Sequence, residues 1–166
     1  VFIIPYIKNS LQQNISTSMK DVTTILGQSF DKQIDRSGAS IVLTPITLRN
    51  SLASVKVNGL KSSYMYIING SGNVAWHPNE KLIGEKIGIS EIQNIVDKMV
   101  AKEKVSPGFL DYTYNGEQKH AVYFVSSTYS FTLVLCCDKS EINAPVNKMY
   151  TRTGIALIII LIIMGI

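Results

Sequence analysis

The chain carries two histidines, His77 and His120, and two cysteines, Cys136 and Cys137, and their spacing decides which chemistries are open to it. Neither histidine has Cys, Asp or Glu beside it at metal-ligand spacing, so a metal site is not expected. No serine stands in a nucleophile elbow and no cysteine has a partnered histidine, so the chain does not read as an enzyme and no cofactor is assigned. Asn69-Gly70-Ser71-Gly72 is glycine-rich, but it joins two strands, and no helix N-terminus follows to meet a phosphate. What remains is binding chemistry. Tyr64, Tyr66, Trp76, Tyr112, Tyr114 and Tyr123 fall where a period of two would bring them over one sheet, and apolar rings with polar tips suit a small organic ligand. The candidate pocket set is Tyr66, Trp76, His77, Tyr112 and Tyr123, with Lys119 as the partner for a carboxylate. The competing reading is that these rings are core, packed beneath a long helix. Alternation puts Tyr64 with Tyr66, and Tyr112 with Tyr114, on common faces without saying which face meets that helix.

The elements that must position these residues follow from periodicity. Ile7, Leu11, Ile15, Met19, Val22, Leu26, Phe30 and Ile34 recur at steps of three or four, which predicts one long amphipathic helix running towards Arg36. A shorter helix follows, with Thr44 at its N-cap, Pro45 in its first turn, Leu48, Leu52 and Val55 on one side and Gly59 closing it. Tyr64–Ile68 and Asn73–Trp76 read as a hairpin around Asn69–Gly72. Ser90 with Gln93 forms a capping-box pattern ahead of Ile92, Ile95, Val96, Met99 and Val100. Phe109–Tyr114, the turn Asn115-Gly116 and Lys119–Ser126 make a second hairpin, and Phe131–Cys137 a fifth strand. Asp138 with Glu141 could cap an exit helix that Pro145 bends. Five antiparallel strands cannot bury a face alone, so helices must cover them, giving an α+β domain of PAS-like kind.

The net charge of +4 is scattered and forms no basic stripe with interleaved aromatics, which excludes a nucleic-acid surface. Cys136 and Cys137 are neighbours in a strand, point to opposite faces, and provide no disulfide framework. The ends are different in kind. Gly154–Ile166 has no charged or hydrogen-bonding side chain and falls short of the roughly 20 apolar residues of a spanning helix, so it reads as the start of a second transmembrane helix. Val1–Ile7 reads as the end of a first, with Lys8, Lys148 and Arg152 near headgroups. Residues 8–150 would then be one domain between two crossings, facing the extracytoplasmic side.

Tyr64–Ile87 contains an apolar strand, a glycine turn, a second strand, His77-Pro78 and the Leu82-Ile83-Gly84 stretch, and this succession resembles the core signature of Cache domains. Phe109–Tyr123 resembles that family's next hairpin, and Phe131–Ile142 its closing strand and exit helix. The length suggests the single-Cache form, an extracytoplasmic sensor module of a bacterial chemoreceptor or related sensor. The resemblance implies a small-metabolite ligand, with a small organic acid among the candidates, a homodimer through the long N-terminal helix, and a displacement passed across the membrane. For His77 it implies either fixing the loop after the second strand or touching ligand. The fuller Tyr/Arg/Trp signature of amino-acid-binding double-Cache sensors is absent. The rival is a ligand-independent dimerisation module of a sensor kinase or cyclic-dinucleotide enzyme, paired along Leu11, Met19 and Leu26.

Overall fold

A computed structural model describes residues 3–144. The long helix is present as α1, Ile3–Ser37, which at about 1.5 Å per residue extends about 52 Å. Met19, Phe30 and Ile34 are buried along it, with Ile15 and Leu26 partly so. The expected stripe is corrected at one point: Val22 is exposed, and Thr23 is buried in its place. A straight helix carries the turn above Met19 to position 23, and the Thr23 hydroxyl donates to the Met19 carbonyl at 2.8 Å, so the polar group is buried with its hydrogen bond made.

Two short helices follow, α2 (Ala39–Val42) and α3 (Pro45–Leu52). The Thr44 cap forms, its side chain accepting from the Thr47 amide. Helix α3 stops at Leu52, short of Gly59, so Val55 packs against the core from a turn instead of from the helix.

The sheet has five strands, β1 (Tyr64–Asn69), β2 (Val74–Trp76), β3 (Gly108–Tyr114), β4 (Glu117–Ser126) and β5 (Phe131–Asp138), in the order β2-β1-β5-β4-β3 and antiparallel throughout. Its two faces bury separate cores. Met65, Ile67, Val122, Phe131, Leu133, Leu135 and Cys137 lie with Met19, Phe30, Leu48 and Leu52 on the α1 side. Tyr66, Ile68, Tyr112, Ala121, Val134 and Cys136 lie with Ile92, Ile95, Val96 and Met99 of α4, Ser90–Val100, on the other. The two cysteines are free and belong to opposite cores, as strand alternation requires. Gly27 brings α1 close to the sheet, because a Cβ there would stand 2.1 Å from the Phe124 ring.

Neither acidic or amide capping box forms. Ser90 Oγ donates to Glu91, and α4 has no side-chain cap. Residues 139–144 are helical, but the Asp138 carboxylate pairs with Lys119, while Glu141 accepts from the Ser62 amide at 3.0 Å and its hydroxyl at 2.8 Å. Partners distant in sequence therefore take both side chains that the local pattern assigned to the cap. Pro145 and the apolar run Gly154–Ile166 lie outside the described residues. Among those described, no helix is long and apolar enough to cross a membrane.

Candidate functional site

The tyrosine face of the sheet lies away from α1. Tyr64 and Tyr66 on β1 are separated from Tyr112 and Tyr114 on β3 by the two central strands, β5 and β4. On those strands the residues between them are small, Cys136 paired with Ala121, so the floor is low and the rings lean over it from both sides. Tyr66 Oη and Tyr112 Oη come within 3.3 Å of each other. The tyrosines sit at period-two positions, and the small central pair lets them converge.

A loop roofs this trough. After the 3-10 turn Glu80–Leu82, the chain pairs with the outer edge of β2: Gly84 N donates to Val74 O at 2.8 Å, Val74 N to Glu85 O at 2.9 Å, and Ile87 N to Gly72 O at 2.9 Å. Gly84, at a φ of 89°, and Gly72, at 77°, take the left-handed backbone that this return needs. The partly open cavity beneath it is about 70 Å³, lined by Tyr64, Tyr66, His77, Tyr112 and Tyr114, by the aliphatic Val74, Leu82, Ile87 and Ile89, and by Glu85 and Lys86.

The phenols, the thiol and the imidazole here are held neutral. Burial pushes the Tyr66 phenol well above the ordinary value and raises Tyr64 and Tyr112 likewise, and it raises the Cys136 thiol below them. Burial also lowers His77, whose ring lies 5.1 Å from that of Tyr64 and 5.6 Å from that of Tyr66. His77 Nδ1 accepts from the Asn79 amide at 2.8 Å, so the neutral imidazole carries its proton on Nε2. The site offers phenol hydroxyls and one imidazole N–H within an aromatic wall.

A second cluster stands at the far side of the sheet, where α1 crosses the second hairpin. Ser16 Oγ lies 2.8 Å from His120 Nε2, and His120 Nδ1 lies 2.6 Å from Asp111 Oδ1. The order serine, histidine, aspartate is that of a nucleophilic triad. Ser16, however, is mid-helix, where the neighbouring backbone N–H groups are engaged in helical hydrogen bonds and none is left to hold an oxyanion. Lys139 binds the other Asp111 oxygen, and Gln12 binds Asn143. The arrangement is a clasp joining α1, the β3–β4 hairpin and the helical residues 139–144. Among the described residues, no group of three or more His, Cys, Asp or Glu could hold a metal ion.

Of the residues selected from sequence, Tyr66, His77 and Tyr112 line the cavity together. Lys119 is paired with Asp138, its Nζ 6.0 Å from the Tyr64 ring centroid, and stands outside the lining. Tyr123 shares the face but covers Gly108, where a Cβ would meet its hydroxyl at 2.6 Å. Trp76, opposite Ile67, belongs to the α1 core. Tyr64 and Tyr114 complete the wall, and their signal was the i, i+2 spacing to Tyr66 and Tyr112. The roof residues Leu82, Ile87 and Ile89 had no periodic signal.

No family model matches the chain, and no curated protein does. Solved structures of similar shape include the extracellular domain of mmHK1S-Z3, an inferred histidine kinase (22% identity, TM-score 0.49, 62% of this chain and 39% of that one). Others are the ligand-binding domain of Mlp24 with asparagine (19%, 0.44, 61% and 38%) and that of the Pseudomonas fluorescens chemoreceptor CtaA with L-isoleucine (16%, 0.39, 60% and 38%). The chain spans less than two fifths of the length of each, and the likeness concerns the fold alone. That fold, a five-stranded antiparallel sheet between a long N-terminal helix and a shorter one, is the PAS-like α+β architecture that the Cache resemblance implied.

Proposed function

We propose that residues 8–150 are the extracytoplasmic ligand-sensing domain of a transmembrane chemoreceptor, which binds a small metabolite and passes a helix displacement across the membrane. The observation that carries this reading is the partly open, tyrosine-walled cavity roofed by a loop and separate from the α1 core. Closing the roof over a ligand buries apolar wall and completes hydrogen bonds, and so favours one arrangement of roof and sheet over another. The clasp of Ser16, His120, Asp111 and Lys139 then gives movement of the second hairpin a route to α1 and to residues 139–144. Those two segments lead to the apolar ends, which on this reading are the two membrane helices, 1–7 and 154–166.

Fluorescence-monitored thermal unfolding against small acids, amines and sugars tests it. Stabilisation by one chemical class, lost in Tyr112→Leu, is the expected result; no stabilisation by any class would contradict it.

The ligand-independent rival keeps one supporting observation. Ile25, 66% exposed, and Val22 form an unburied apolar patch on α1, whereas Met19 is fully buried within the domain. A homodimer through α1 would use the Val22–Ile25 side, not the line Leu11, Met19, Leu26. Sedimentation of Ile25→Glu against the unaltered chain separates the two: loss of a dimer without loss of ligand response places dimerisation beside sensing, not instead of it.

A further inference from the structure

The charge of the ligand can be argued from what the cavity wall contains. A buried carboxylate needs a cation or several N–H donors to replace its water. Lys119 is engaged by Asp138 and stands outside the lining. Lys86, the one cation of the lining, is exposed and its ammonium binds the Ser71 carbonyl. The phenols of Tyr66 and Tyr112 already face each other. Five aromatic side chains, by contrast, surround the space: Tyr64, Tyr66, Tyr112, Tyr114 and His77. Aromatic rings carry negative faces, and several arranged around one volume stabilise a positive charge that has shed its water.

We infer that the cavity takes a small organic cation, a methylated ammonium group, in a cage of Tyr64, Tyr66, Tyr112 and Tyr114 with Glu85 at its side. This rests on the reading of the cavity as the ligand site and deepens it. Size agrees: a cavity of about 70 Å³, open on one side, suits a compact head group. The neutral state of His77 agrees as well, since an imidazolium in the wall would repel such a ligand.

The test uses three probes with the same number of heavy atoms, titrated calorimetrically into the whole chain at constant ionic strength: tetramethylammonium, neutral tert-butanol and propionate. Tetramethylammonium should bind about tenfold or more tightly than either of the others. Tyr114→Phe should keep that preference, and Tyr114→Leu should reduce it several-fold. Glu85→Gln, at an exposed position, should weaken tetramethylammonium and leave tert-butanol unchanged. Equal binding of tetramethylammonium and tert-butanol would overturn the proposal, because shape alone would then suffice. Tight propionate binding that Tyr114→Leu abolishes would overturn the cation while keeping the cavity as the ligand site. Binding by none of the probes would overturn the cation, and failure of the broader screen as well would remove the cavity reading with it.

Discussion

At the scale of single residues, the cavity wall combines aromatic rings with a buried imidazole and phenols held neutral. Burial lowers His77 below 6.5, the value of a free imidazole, so in the window just below that value the unfolded chain binds a proton that the folded chain refuses. Its contribution to stability is complete above about 6.5 and is lost as the pH falls towards the folded-state value. The groups facing it are the rings of Tyr64 and Tyr66, the Asn79 amide, and Glu85 and Lys86 in the roof. Thermal unfolding followed from about pH 7 to about pH 5 should therefore show a steeper decline for the unaltered chain than for His77→Asn. Affinity for a cationic probe should hold while the folded His77 stays neutral and decline only at the lower pH where it takes up its proton. The second residue-scale expectation concerns the phenol pair. Tyr66→Phe leaves the Tyr112 hydroxyl buried without this partner, which should cost about 1–3 kcal/mol in urea unfolding with the m-value unchanged.

At the scale of elements, two contacts decide how α1 sits on the sheet. Gly27 lies against Phe124 with no room for a methyl group, so Gly27→Ala must push the helix or the ring aside. Overpacking of this kind costs about 1–3 kcal/mol, partly offset by the better helix propensity of alanine, and should lower the melting temperature by several degrees. The second contact is the clasp. Burial acts to raise Asp111, but hydrogen bonds from Lys139 and His120 outweigh it and hold the carboxyl below the ordinary range. Its stabilisation is present at neutral pH and lost on acidification below that range. Asp111 is partly exposed, so Asp111→Asn should change global stability by no more than about 1 kcal/mol. It should nonetheless increase amide exchange in the second hairpin, and ligand binding should no longer protect residues near Ser16. Unchanged exchange at both places would remove the clasp from the route of the signal.

At the scale of the whole molecule, the layers were legible because their signals are periodic. The i, i+2 tyrosines, the Asn115-Gly116 turn and the apolar stripe of α1 each specify a local geometry, and together they required a helix-covered antiparallel sheet. Two features were not legible. Trp76 stands on a strand of three residues whose register shifts at Ile67 and Ile68, so no local pattern tells which face it takes. The convergence of the tyrosines depends on Cys136 lying opposite Ala121, a pairing that only the assembled sheet creates. Lys119 failed as a ligand partner for a related reason, since Asp138, its register partner on β5, claims it first. The roof over the cavity is irregular backbone held by the edge of β2, and irregular segments leave no period to read.

The central claim is that this trough, and not the α1 core, receives a small molecule. Tyrosine-selective NMR of the chain during titration with small amines, acids and sugars measures it directly. Saturable shifts at Tyr64, Tyr66, Tyr112 and Tyr114, with Tyr129 unmoved on the far side of the sheet, are the predicted result. Tyrosine signals that stay fixed through every titration, or that move only at Tyr129, would contradict it.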